Sequence, residues 1–213
     1  MKFLSELSAL IRQYRHAFIA LNLILYGLLA LTMVITMMVP QLQPLASGWY
    51  DMNNISLPIL DRGVMAYVTG DFWTAAGVTL LVNVSVATLL TILPSMIIPY
   101  LGLVALLYRF ILWGPMFAPL GLQRLMFLPH FPTVLIEGFA YILAGFAAYI
   151  HSTYLSHPGH YGFATRRAAF VPGLRRVLPV YVAVLIVLII GALYEAYEVI
   201  HLIPVLVEAQ TPH

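Results

Sequence analysis

The chain reads as an all-α, polytopic membrane helix bundle, with about five transmembrane helices and an N-terminal amphipathic interfacial helix. Three observations predict this. Hydrophobic residues make up 62% of the 213 and charged residues only 8%, and the mean hydropathy is +0.94, outside the range of soluble domains. Apolar runs of about 20 residues recur along the chain, the length that crosses a hydrocarbon core of roughly 30 Å. The ten Lys and Arg residues are scattered and mostly flank those runs, so no nucleic-acid partner is expected. The absence of cysteine excludes disulfides, thiolate zinc sites and thiol nucleophiles together.

Residues 1–16, MKFLSELSALIRQYRH, set Phe3, Leu4, Leu7, Leu10 and Ile11 at helical spacing, with Lys2, Glu6, Arg12 and Arg15 elsewhere. That pattern suits a helix lying on a membrane surface. Residues 17–203 form a single transmembrane domain crossing at Ala17–Val39, Phe72–Leu93, Tyr100–Pro119, Thr133–Leu155 and Leu178–Ile203. The first run is too long for a removable signal peptide and lacks its small-residue cleavage site. Segment 41–71 is an external loop, and its stretch NNISLPILDRGVMAYVTGDF is apolar enough for a short surface helix. Asn54-Ile55-Ser56 within it spells a glycosylation sequon, a weak signal by itself. Pro94 and Pro99 leave a very short, uncharged connection, which predicts a tight antiparallel hairpin. A basic inner loop, 156–177, precedes the last crossing, and 204–213 is a C-terminal tail.

Orientation follows from the basic residues. Lys2, Arg12, Arg15, Arg166, Arg167, Arg175 and Arg176 fall on one side, and only Arg62 and Arg124 on the other. This places the N-terminus in the cytoplasm and the C-terminus outside.

Polar residues inside the crossings then stand out. Glu137 lies roughly one turn below the outer surface, counting about 1.5 Å per residue. Glu195 also falls in the outer part, and Glu198 and His201 follow it at three-residue steps, near one stripe of the helix. Asn83 and Arg109 fall near mid-membrane. A charge at such depth costs at least about 2.5 kcal/mol, so these groups turn inward and pair. The expected intramembrane network is Asn83, Arg109, Glu137 and Glu195, with Arg109 held by Glu195 or Glu137. It serves either as glue between helices or as an ion, proton or substrate path.

Glu198-Val199-Ile200-His201 has the E-x-x-H spacing of di-metal bundles, but those use two such motifs and further glutamates. Glu195, Glu198 and His201 are the candidate metal ligands; the plainer reading is a Glu and a His near a helix end. No H-E-x-x-H, G-x-S-x-G, phosphate-binding loop or G-x-G-x-x-G is present. No catalytic residue is assigned, no cofactor is expected, and an enzyme is the minor reading.

Several residues together resemble the stage II sporulation protein M-like integral membrane proteins of bacteria and archaea. The resemblance covers roughly Phe72 to Pro204. It rests on Pro132-Thr133-Val134, Glu137, Ala140 and Gly145, then Arg166-Arg167, then LYEAYEVIHLIP with Glu195 and Pro204. Asn83 with Val86 and Ala87 is similar to the family's asparagine segment, and Gly114 matches a glycine five positions beyond a second asparagine. Thr133 and Val134 depart from the family's histidine and glycine, with His130 close by, and Arg109 replaces the second asparagine. His130, Thr133, Glu198 and His201 thus form a candidate outer-face site.

The resemblance implies a non-enzymatic scaffold in the plasma (inner) membrane of a bacterium or archaeon, docking extracytoplasmic protein partners at its outer face. The alternative is a permease or channel component; third comes a metal-dependent intramembrane enzyme. Membrane lipid is an expected partner, as is a second copy of the chain. Ala140, Ala144 and Ala148 offer a small-residue face for helix contact, expected within the chain.

Overall fold

Apolar stretches with few breakers yield helices wherever the structure can be described. The computed structural model describes residues 2–44, 58–121 and 123–209, and these are helical with short turns. In order they are α1 (Lys2–Gln13), α2 (Arg15–Met38), α3 (Pro58–Thr69), α4 (Phe72–Val86), a π-helical turn (Ala87–Ile92) and α5 (Leu93–Ile97). Then come α6 (Leu101–Met116), α7 (Gln123–Ser156), a 3-10 turn (Pro158–Tyr161), α8 (Arg166–Tyr197), a second π-helical turn (Glu198–Leu202) and α9 (Ile203–Glu208). Four stretches are long and apolar enough to cross a membrane: Arg15–Met38, Phe72–Ile97, Gln123–Ser156 and Arg166–Glu208. Leu101–Met116 is a shorter apolar helix.

The exposed surface says what solvent these helices meet. On α8, Leu178, Val182, Leu185, Ile186, Ile189 and Leu193 are all exposed, while Val177, Val180, Val184, Leu188, Ala192 and Ala196 are buried. Both sets repeat at helical spacing, so the helix turns one apolar face inward and another outward. A stripe of that size facing water would cost far more than scattered surface leucines do. This is the architecture of a helical membrane protein.

Both π-helical turns have a local cause. Each ends two residues before a proline, Ile92 before Pro94 and Leu202 before Pro204. A proline ring in a regular helix clashes with the carbonyl four residues back and gives that carbonyl no N–H. Here the preceding N–H reaches five residues back instead, Leu93 to the Thr88 carbonyl and Ile203 to that of Glu198. The widened turn lets the helix run past the proline. The second crossing therefore extends beyond Leu93, and the hairpin turn falls at 98–100, where Tyr100 has a φ of 68°. The Tyr100 N–H donates to Ser152 Oγ at 2.9 Å, which holds that strained residue in place.

The basic loop expected at 156–177 is shorter. Thr165 starts α8 by accepting the Ala168 N–H on its hydroxyl at 3.2 Å. Arg166, Arg167, Arg175 and Arg176 consequently stand on the first turns of a helix and not in a loop. The tail is also partly helical, through Glu208. In segment 41–71 the expected short helix is present as α3, whereas the sequon and Asp51 lie outside the described residues.

Two compact units divide the chain. The first comprises Met1–Gly27, Val84–Arg109 and Gly138–Val187. In it α7 buries Ala140, Ala144 and Ala148, and a side chain at Gly145 would come within 2.6 Å of Leu106. The small-residue face thus serves close packing within the chain. The second comprises Leu28–Asn83, Phe110–Glu137 and Leu188–His213. Ala66, Ala75, Ala76 and Ala196 pack there with Tyr67, Phe72 and Ile200, so α3, α4 and α8 meet through small residues.

α4 begins with a cap. Gly70 makes the turn at a φ of 75°, and the Thr74 N–H donates to Asp71 Oδ1 at 3.2 Å. The side-chain bond with Thr74, then the backbone bond, hold the Asp71 carboxyl below its ordinary range. A depressed value means that the cap's stabilisation is present above the unfolded carboxylate range and is lost as pH falls through the folded value. Asp71→Ala is expected to speed amide exchange at Trp73 and Thr74, and Asp71→Asn to restore protection. Equal exchange in all three proteins would remove the cap from the account.

Candidate functional site

The second unit gathers polar groups that the sequence scatters over four helices. Asn83 near the end of α4 donates its amide Nδ2 to Glu137 Oε1. On α7, Glu137 packs over Gly191 of α8, where an added side chain would meet its Cγ at 3.3 Å. The missing side chain at 191 is what lets the two helices close around the carboxyl. Glu195, one turn along α8, interacts with the Glu137 carboxyl and the Tyr67 hydroxyl. Tyr67 in turn shares a hydrogen bond of 2.7 Å with Thr79.

Glu198 is the most enclosed member, with 0% of its surface exposed. Its Oε1 is paired with His130 Nδ1. Its Oε2 is buried and meets no hydrogen-bonding group among the described residues, and the same holds for the Thr133 hydroxyl. His130 stands between Pro129 and Pro132 on α7. Tyr194 fixes that stretch to α8 by donating to the Pro129 carbonyl at 3.1 Å.

Beside His130 opens a cavity of about 410 Å³ with walls formed by Phe117, Met126, Phe127, Phe131, Val199 and Ile203. His130 and Gln123 are the polar groups on its surface. The Phe117 ring lies 5.2 Å from the imidazole. The Gln123 amide oxygen accepts from Gln43, which also donates to the Ala118 carbonyl at 2.9 Å. An apolar cavity of this size with a few fixed polar groups has the form of a small-molecule site.

Of the residues expected to make one network, Asn83, Glu137 and Glu195 share this unit. Arg109 belongs to the first unit, where its guanidinium donates to the Tyr141 hydroxyl at 3.1 Å and lies 4.1 Å from that ring's centre. Of the candidate outer-face residues, His130 and Glu198 pair and Thr133 is buried one turn on, but His201 is exposed with its ring against Tyr197. The reason is the second π-helical turn, whose extra residue per turn carries position 201 off the stripe shared by 195 and 198. The proposed metal trio of Glu195, Glu198 and His201 accordingly does not assemble, and no group of three His, Asp or Glu is arranged to hold a metal among the described residues.

Tyr67, Thr79, Tyr141 and Tyr194 escaped sequence reasoning. A tyrosine in an apolar run reads as an interfacial residue, and only the helix packing reveals a buried hydroxyl partner.

Fold and site together define a helical membrane protein with a buried carboxyl and imidazole cluster beside an apolar cavity. Comparison with protein-family models, curated proteins and solved structures finds no match to this chain.

Proposed function

We propose that the chain is a permease component that exchanges lipophilic organic cations for protons at the His130–Glu198 cavity. The observation that carries this reading is the pair of Glu198 and His130: Glu198 is fully buried and bonded through one oxygen to His130, and His130 lines an aromatic and methionine-walled cavity. The carboxyls of Glu137, Glu195 and Glu198 and the imidazole of His130 lie in this unit and interact. Full ionisation would leave negative charge in an apolar interior at great cost. Protons offset that charge when the cavity is empty, and an organic monocation offsets it when the cavity is filled. The rings of Phe117, Phe127 and Phe131 suit a diffuse cation. One site that holds either a proton or a cation, but not both, is what exchange requires.

The supporting topology is five crossings, with Leu101–Met116 as the third. Its 16 residues span about 24 Å at the helical rise. Five crossings and the basic-residue count support a cytoplasmic N-terminus, with α1 on the inner surface, and an external C-terminus, and the sporulation protein M resemblance supports a bacterial or archaeal plasma membrane.

In proteoliposomes with an imposed pH gradient, tetraphenylphosphonium should move against the proton flux, and Glu198→Gln should reduce the rate at least tenfold. Uptake that ignores the gradient, or that persists in the variant, would reject the exchange.

A second reading, the partner-docking scaffold implied by the sporulation protein M resemblance, draws support from α3. Its Val64, Met65 and Val68 are 62%, 57% and 75% exposed on a helix that is not among the long apolar ones.

A further inference from the structure

A cavity of different chemistry lies in the first unit, with a volume of about 440 Å³. Leu10 of α1, Phe163, Pro172 and Pro179 give it apolar walls, and Glu6, Arg175 and Arg176 add charge. The rings of Tyr154 and Tyr161 stack at 3.8 Å, 13° from parallel. Tyr161 also shares hydrogen bonds with Tyr14 at 3.2 Å and Thr153 at 2.8 Å. Burial, then the Tyr161 bond, raise Tyr14 far above the ordinary tyrosine range, so this hydroxyl stays neutral and keeps its proton.

The wall is built and not incidental. A side chain at Gly173 would come within 2.9 Å of Tyr154 and 3.1 Å of His151, so the α8 backbone lies directly on the aromatic pair. Arg176 is tied to α1 by donating to Gln13 Oε1 at 2.8 Å. A guanidinium has five N–H donors, so most remain for a ligand.

Arg175 provides the second, independent observation. It lies four residues after Val171 and three before Leu178, and both neighbours are exposed, at 51% and 58%. It therefore shares the helix face that continues into the lipid-facing stripe of α8. An arginine on such a stripe extends its stem along apolar surface and brings its charge to the phosphate level.

We propose that this cavity binds the phosphodiester of one membrane phospholipid, with Arg175 and Arg176 on the phosphate and the apolar walls against the glycerol end of the chains. The two arginines and Glu6 sum to +1, which complements the single negative charge of a phosphodiester. Basic pockets between membrane helices hold lipid headgroups by this balance of charge and apolar contact. The site does not depend on cation exchange at Glu198.

Native mass spectrometry of the full chain after gentle extraction tests the proposal. The wild-type protein should retain one phospholipid whose occupancy falls at least about tenfold in R175Q/R176Q, as expected for losing charge-assisted bonds. Arg62→Gln, a change outside this cavity, should keep the lipid. Tyr161→Phe, which preserves the stacked ring, should show partial loss and guards against misfolding of the arginine variant. Added inorganic phosphate should leave the lipid bound. Equal retention in wild type and R175Q/R176Q would overturn the site; displacement by inorganic phosphate would assign it to the free ion and overturn the lipid.

Discussion

Gly102→Ala is expected to destroy the hairpin between α5 and α6. A side chain there would begin 1.7 Å from the Thr91 carbonyl oxygen, 2.5 Å from its carbon and 2.7 Å from Ser95 Oγ. Two of these atoms are backbone and cannot rotate away. Nor can the glycine retreat, because its N–H donates to Ser95 Oγ at 2.9 Å and the preceding turn is anchored to Ser152. Thr91 belongs to the π-helical turn that admits Pro94, so the clash would fall on a backbone already adapted to another constraint. Overpacking usually costs about 1–3 kcal/mol where side chains can adjust, and more where they cannot. We expect about 4 kcal/mol or more, enough to consume much of a typical folding stability. Gly77→Ala is the control: a side chain there meets nothing within 4 Å, so stability should change by no more than about 1 kcal/mol. Denaturant titration of the detergent-solubilised variants measures both, and similar midpoints would contradict the close approach.

The second large effect is expected at Glu198. Truncation to alanine leaves His130 facing a void and removes a fully buried partner, a loss of about 3–5 kcal/mol for such pairs. Glu198→Gln keeps the shape and an oxygen acceptor, so its cost should be nearer about 1 kcal/mol. The two variants separate stability from chemistry, because glutamine holds the imidazole but cannot exchange a proton. H130A and E198A should also fail to add when combined, since each removes the same contact. Full additivity would mean that the pair contributes nothing.

Composition and apolar run length were enough to identify an all-helical membrane chain, because lipid demands internally bonded backbone over a fixed thickness. Two inward carboxyls were legible for a related reason: Glu137 and Glu195 are too costly to face lipid, whereas Glu198 reads as a residue near a helix end and its full burial came only with the structure. Their partners were harder to read. Pro94 and Pro204 look like crossing ends in sequence, but the π-helical turns carry the helix past both. One of those turns also removes His201 from the Glu198 stripe and leaves His130, 68 residues away in sequence, as the partner. Arg175 and Arg176 fall in the loop expected at 156–177, whereas α8 runs from Arg166, capped by Thr165, and continues through both Pro172 and Pro179. In each case helical periodicity was right about the segment and silent about a local change of pitch or a distant neighbour.

The most direct test of the account is the number of protons released when tetraphenylphosphonium binds the purified full chain in weak buffer. Exchange at one shared site predicts about one proton released per cation bound, affinity that weakens as pH falls, and loss of the release in Glu198→Gln. Cation binding with no proton release, or release unchanged in that variant, would contradict it.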